Sequence, residues 1–380
     1  MRIGINTLFM VPGDVGGTEV YLRNTLSAMA AQKTEHILVL FTNSENDSLL
    51  REDLAKFPLV EFHQLPCRAS VRPVRIIVEQ LILPFAAKKQ NVDVLWSPGY
   101  TAPAFCFSPQ AVTIHDLQYK SYPDDMSSVE RKTLDILVRT ACKRCQAVIT
   151  VSEFSRQEVI KYDFAKGDMI FAVPNGVAKD FLCCVSGDVP ANHSSYVLEE
   201  MGVKKPFFMC VAHTYPHKNV DKLIDAFCLL EDSCSLQLVL VGKARRGEDA
   251  VQKSLARVRD SKRVVRLNGL SNTEVQALYR NADVFVLPSS YEGFGLPVIE
   301  AMMAGTPVIT PKMASLHEVG GDYTFYVDTP DSSLLAKQML HVLTLPRKQK
   351  ERHICNAQKW AEGFTWKRTA LETMKIIESI

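Results

Sequence analysis

The segment Pro288-Ser-Ser-Tyr-Glu292-Gly-Phe-Gly-Leu-Pro297-Val-Ile-Glu300 concentrates the residue types of an anion site. A strand-like run ends at Leu287, glycines follow, and Pro297 suits the first turn of a helix, where its missing N–H costs nothing. The N–H groups of Gly293, Phe294, Gly295 and Leu296 are then available to an anion such as a diphosphate. Glu292 precedes the helix and Glu300 lies on it. Their separation in mostly helical chain is about 12 Å at 1.5 Å per residue. Carboxylates that flank one glycosidic bond stand roughly 5–9.5 Å apart. The pair is therefore expected to hold the two ends of one extended ligand. A nucleotide-sugar has that shape, with sugar at one carboxylate, diphosphate on the loop and ribose at the other.

Other strand ends offer polar groups. An apolar run beginning at Phe207 leads into His213-Thr-Tyr-Pro-His217-Lys218-Asn219. A lysine at a helix start opposes the helix dipole, which is easier to understand if an anion sits there, with His213 or His217 beside it; a solvated lysine is the plainer reading. After the first strand, Gly16-Gly17-Thr18 opens a helix, either as an anion-binding turn or as a tight turn capped by Thr18. Thr113-Ile-His115-Asp116 places a histidine and an aspartate at a strand end, either to bond a polar ligand or simply as a hydrogen-bonded strand end. In Thr150-Val-Ser152-Glu-Phe-Ser155, helix capping by Ser152 explains the pattern fully.

Parallel sheets place such residues at strand ends, and the chain reads that way throughout. Strands are expected at 2–9, 36–42, 59–65, 92–97, 110–116, 146–151 and 169–173, with helices at 18–32, 74–90, 127–144 and 153–162. In the second half, strands at 207–212, 236–242, 264–268, 283–287, 307–310 and 324–328 alternate with helices at 218–230, 248–259, 272–281, 297–304 and 331–343. Alternation of this kind makes βαβ units, and it occurs twice, so two doubly wound α/β domains facing across a cleft are expected. The linker falls between Pro174-Asn-Gly176 and Pro206, through Ser186-Gly187-Asp188, Pro190 and Asn192-His-Ser-Ser195.

Composition agrees and excludes other classes. The 380 residues are 47% hydrophobic and 23% charged, ordinary for globular domains, and long enough for two cores. With 44 basic against 42 acidic residues, a dedicated nucleic-acid binder is excluded. Ten scattered cysteines read as free thiols in a reducing compartment, and Cys142-Cys145 is a lone CxxC without a second pair for zinc. Met1 to Phe9 reads as a strand and not as a secretory leader. The longest apolar stretch, Ile76 to Ala87, contains Glu79, Gln80 and Pro84 and is too short to span a bilayer. A cytoplasmic protein is expected. The segment from Arg68 to Lys89 is basic at both ends and apolar between; it is either a buried helix with basic ends or a surface that lies peripherally on an anionic inner membrane face.

Taken together these residues resemble the retaining glycosyltransferases of family 4, which have the GT-B fold, and most of all the mannosyltransferase branch that builds bacterial surface polysaccharides such as lipopolysaccharide. Glu292 and Glu300 match that family's E-x7-E motif. The Gly-Gly turn, Thr-Ile-His-Asp-Leu, Thr-Val-Ser-Glu-Phe-Ser, Pro174-Asn-Gly-Val, the Leu278–Ser289 stretch, Ser315-Leu-His-Glu-Val and Phe364-Thr-Trp366 are similar too, so the resemblance covers nearly the whole chain. It implies an N-terminal acceptor domain over 1–180, a nucleotide-sugar domain over 200–363, and a last helix, 364–380, packing back on the first.

It also implies roles: Glu292 at the donor sugar, Glu300 at the ribose, Lys218 at the diphosphate, His115 near the reacting carbon, and Gly16 and Gly17 at the phosphates. Where many relatives have a second phosphate-binding arginine, His213 or His217 stands here, and a histidine is only partly charged near neutrality. The implied reaction is metal-independent and cofactor-free hexosyl transfer with retention, from a nucleotide-sugar (GDP-mannose first, a UDP-sugar next) to a glycan or lipid-linked glycan. A nucleotide-sugar 2-epimerase is the alternative enzyme on this fold; a phosphorylase would need a pyridoxal-phosphate lysine and a longer chain. A non-catalytic nucleotide-sugar-binding protein is the alternative outside catalysis.

Overall fold

The structure, a computed structural model, describes residues 1–32, 35–182, 191–230 and 236–380. The chain divides into two compact units. Unit 1 is Met1–Gly176 with Thr365–Ile380, and unit 2 is Val177–Phe364.

Unit 1 is built on seven parallel strands: β1 (Arg2–Asn6), β2 (Ile37–Thr42), β3 (Val60–Gln64), β4 (Val94–Ser97), β5 (Gln110–Ile114), β6 (Ala147–Thr150) and β7 (Ile170–Ala172), in the order β3-β2-β1-β4-β5-β6-β7. Its central strands are apolar runs because both faces are covered. On one face Val39, Phe41 and Leu95 pack with Leu83, and Val112, Ile114 and Val148 pack with Val138 and Phe164; on the opposite face Ile5, Leu40 and Trp96 are buried as well. The order reverses direction beside β1 and β4, and at such switch points ligand sites form beyond the carboxyl ends of strands.

Unit 2 has six parallel strands: β8 (Phe207–Val211), β9 (Gln237–Val241), β10 (Val264–Leu267), β11 (Val284–Val286), β12 (Val308–Pro311) and β13 (Phe325–Val327), ordered β10-β9-β8-β11-β12-β13. Phe208, Leu238 and Val284 form a core with Leu223, Phe227 and Met339 of the covering helices. The switch lies between β8 and β11, and the Lys218 and Glu292 loops follow those two strands.

Every expected strand is present, with ends shifted by up to three residues. The helices differ more. The expected helix 74–90 is an α-helix (Arg72–Ile77), a π-helical turn (Val78–Ile82) and a second α-helix (Leu83–Lys89). The helix expected from Lys218 begins at Val220, and Lys218 ends a short 3-10 turn, Pro216–Lys218. Thr18 is not the N-cap of the first helix: Gly16 takes that place and the helix runs Gly17–Ala30, so Thr18 sits in its first turn. Asn192 to Ser195, read as linker, are helical within Ala191–Glu200. Ser186-Gly187-Asp188 and Pro190, like Cys183, Cys184 and Cys234, lie outside the described residues. Helices that were not expected include Asp47–Leu54, Leu316–Gly320 and Arg347–Ala361.

The helix Trp366–Glu378 belongs to unit 1. Its Trp366 ring meets Tyr21 edge-on at 6.3 Å, and Thr369 Oγ1 donates to the Pro174 carbonyl at 2.7 Å. Gly176 permits this: a Cβ there would stand 2.1 Å from the Trp366 backbone nitrogen.

Candidate active site

Unit 2 brings the Lys218 loop against the Glu292 loop. Asn219 adopts a left-handed conformation, φ 49°, that a short polar residue tolerates. Its Nδ2 donates to the His217 and Pro288 carbonyls and to Ser290 Oγ, and the Ser290 N–H donates to the His217 carbonyl at 2.8 Å. The two loops are thereby laced, and Lys218 Nζ donates to Glu292 Oε1 at 2.6 Å. Both side chains are mostly buried, so each charge is compensated by the other.

The turn after Glu292 is held from below. Ser315 Oγ lies 2.8 Å from both the Glu292 and the Phe294 carbonyls. Gly295, φ 104°, opens the helix Leu296–Met303, a conformation that strains any residue with a Cβ. Pro297 stands in the first turn, as the sequence indicates, and the leading N–H groups have no carbonyl a turn earlier. The Phe294 side chain is buried and meets Phe364 edge-on at 5.9 Å; it anchors the loop. Glu300 lies on the second turn, where the buried Tyr279 hydroxyl donates to its Oε2 at 3.0 Å. Burial pushes the Glu300 carboxyl up to about 7, with the Tyr279 bond opposing.

His213 and His217 occupy different environments. The Lys243 N–H donates to His213 Nδ1 at 3.0 Å, so the neutral ring carries its proton on Nε2. His217 is buried and stacked on Tyr215 at 5.8 Å; burial, then the Lys218 charge, pushes it down to about 3. It is therefore a neutral ring near pH 7 and supplies no charge to an anion. The basic run Lys243-Ala-Arg245-Arg246 after β9 was not singled out from sequence. The fold ties its backbone to the His213 loop, since the Arg245 N–H donates to Thr214 Oγ1 at 2.7 Å and the Gly247 N–H to the Thr214 carbonyl.

In unit 1, His115 follows β5 and is buried. Its Nε2 donates to the Pro98 carbonyl at 2.8 Å, and burial pushes the ring down to about 4, so it is neutral with Nδ1 as the acceptor. Tyr21 stands edge-on to it at 4.9 Å and links it to the helix that Gly16 and Gly17 open. The Gly13 N–H donates to Glu19 Oε2 at 2.7 Å, which ties the glycine turn to that helix. Ser152 caps its helix through the Ser155 N–H, as expected, and Ser155 Oγ donates to the His115 carbonyl. Tyr21, Asn219, Tyr279 and Ser315 were given no role from sequence, and each acts through a partner distant in the chain; Glu19, also without a role, bonds Gly13 six residues before it. Cys142 and Cys145 are buried free thiols, and burial pushes Cys142 up to about 12.

Residues 15–181 match the family model described as Glycosyltransferase Family 4, and residues 199–360 match that described as Glycosyl transferases group 1. The O-antigen chain mannosyltransferase RfbU of Salmonella typhimurium is 28% identical over 62% of this chain and 62% of its own length. The O-antigen chain mannosyltransferase B of Escherichia coli is 27% identical over 69% of this chain and 68% of its own. The chain thus aligns to about two thirds, or slightly less, of each of these two relatives. Among solved structures, Anabaena Alr3699/HepE in complex with UDP-glucose has a TM-score of 0.77 at 20% identity, covering 100% of both chains.

Proposed function

The chain belongs to the family 4 and group 1 glycosyltransferases and has their GT-B fold, and from that membership we propose that it moves a hexose, mannose first, from a nucleotide-sugar to a glycan or lipid-linked glycan, with retention and without a metal ion. The observation that supports this best is the pairing of Lys218 with Glu292 beside a helix start whose second turn holds Glu300.

The donor diphosphate lies on the N-terminus of the helix Leu296–Met303, and Lys218 leaves Glu292 to neutralise it. Glu292, so released, accepts hydrogen bonds from the sugar hydroxyls, and Glu300 accepts them from the ribose hydroxyls. Neither carboxylate attacks. The leaving diphosphate accepts the proton of the incoming acceptor hydroxyl, which bonds to the anomeric carbon on the face the diphosphate leaves. Lys218 and the helix N–H groups hold the negative charge that grows on the leaving oxygen, which is electrostatic stabilisation by groups already in place. His115, neutral and fixed by Pro98, accepts a hydrogen bond from a sugar hydroxyl at Nδ1. The mannose preference follows the two O-antigen mannosyltransferase relatives; the acceptor class follows their names as well.

The test is a panel of GDP-, UDP-, dTDP- and ADP-sugars by thermal shift, then transfer to lipid-linked and soluble glycans with the product's anomeric configuration read by NMR. GDP-mannose stabilisation and a retained configuration are expected. Inversion, or conversion of the donor to a new nucleotide-sugar without acceptor, overturns the reading.

A further inference from the structure

The run from Arg72 to Lys89 leaves one row of its apolar residues exposed. Ile77, Leu81 and Phe85, spaced by four, are 56%, 64% and 61% exposed. The inward side of the same run, Val78, Leu83 and Ala87, packs on β2 and β4, so the helix is apolar on both sides. Of the two sequence readings of this segment, burial as a plain core helix fails on these three residues.

The exposed face continues onto a second element. Gln80 clips the following loop to the helix: its Nε2 donates to the Ala102 carbonyl at 3.0 Å, and its Oε1 accepts from the Ala104 N–H at 2.8 Å. Glu79 accepts from Thr101 Oγ1 at 3.0 Å in the same turn. These bonds bring Phe105 and Phe107 beside the helix, 59% and 44% exposed. Phe85 meets Phe107 at 5.4 Å and Phe107 meets Phe105 at 5.0 Å, both edge to face. Three phenylalanines thus form one row in contact with water. An exposed apolar patch of this kind marks a contact surface.

The charges nearest the phenylalanine row are basic, while Arg72 at the far end of the run is paired with Glu130. Lys88 Nζ stands 4.2 Å above the Phe107 ring, and Lys89 and Arg68 are exposed. Glu79, the only acidic residue from Arg68 to Val92, is buried. No helix among the described residues is long and apolar enough to cross a membrane. An apolar row bordered by lysines on a short, surface-bound helix fits the interface of an anionic bilayer: rings among the upper acyl chains, ammonium groups at the phosphates.

We propose that the face formed by Ile77, Leu81, Phe85, Phe105 and Phe107, with Lys88 and Lys89, docks unit 1 on an anionic lipid surface. Docking needs no sugar chemistry, so its failure leaves the proposed reaction standing, and failure of the reaction leaves docking standing.

The experiment is flotation of the whole protein with phosphatidylcholine vesicles, with and without phosphatidylglycerol, at low and high salt. Strong flotation with the anionic vesicles at low salt is expected. The double variant Leu81→Gln/Phe85→Gln should lose it by about tenfold or more. Lys88→Gln/Lys89→Gln should lose the preference for anionic lipid while some apolar partitioning persists. All four side chains are exposed, so an unchanged melting temperature identifies the variants as folded. No flotation of the parent protein, or equal flotation of parent and Leu81→Gln/Phe85→Gln, overturns the proposal. So does light scattering that shows a dimer dissociated by Leu81→Gln/Phe85→Gln together with no vesicle binding, since the face would then join two copies of the chain.

Discussion

Glu292 and Glu300 are both carboxylates at one helix start, yet their surroundings differ. Glu292 is matched by Lys218, whereas Glu300 is raised by burial and touched by a tyrosine hydroxyl. If Glu300 grips the ribose, its contact changes little during reaction, so Glu300→Ala should mainly raise the donor KM. Glu292 at the sugar gains as positive charge grows on the ring, so Glu292→Ala should mainly lower kcat. Each loss is expected to cost about 1.5–3 kcal/mol, roughly 10–150-fold, read from steady-state kinetics with donor varied; the reverse split would turn the donor round. The raised Glu300 gives a second test. Ribose hydroxyls bond more strongly to the ionised carboxylate. Calorimetric titration with the nucleoside diphosphate should show affinity rising as pH climbs through about 7, and Glu300→Gln should flatten that rise.

Elements carry these residues through backbone devices that sequence reveals unevenly. Gly295→Ala places a Cβ in left-handed backbone, 3.0 Å from Leu316 Cδ2. A cost of about 1–2 kcal/mol is expected, read as a lower melting temperature, together with weaker donor binding because the helix start shifts. The parallel strands were legible because buried strands are unbroken apolar runs between turn residues. The helix Arg347–Ala361 was not, because it is highly charged and Ala357 and Ala361 are its buried residues, too few for an apolar stripe. Residues 74–90 read as one helix since a π turn changes hydrogen bonding without changing composition. At the site, the spacing of Glu292 and Glu300 could be read from sequence, but the Lys218–Glu292 pair could not. It depends on β8 and β11 lying side by side, a register that only the tertiary fold fixes.

For the whole molecule, buried groups shape the pH dependence of stability, among them His115, His217 and Glu300. His115 and His217 titrate at about 4 and 3 in the folded chain, below their usual 6.5, so the stability they contribute is present above 6.5 and lost as pH falls toward those values. Glu300 acts oppositely: its folded value of about 7 exceeds 4.5, so its contribution is present below 4.5 and lost as pH rises through 7. Urea midpoints measured against pH report the balance: Glu300→Gln should steepen the rise of stability with pH and His115→Gln should flatten it. Chelation offers a separate check, since EDTA should leave transfer intact if Lys218 and the helix start supply all the positive charge. The segment Thr365–Ile380 closes unit 1 although unit 2 precedes it in the chain. During vectorial synthesis, unit 2 therefore emerges from the ribosome as one continuous stretch and can finish folding first. Unit 1, begun earlier, must wait with Tyr21 and Gly176 uncovered until Trp366 arrives, and that nascent interval is where a chaperone would find it.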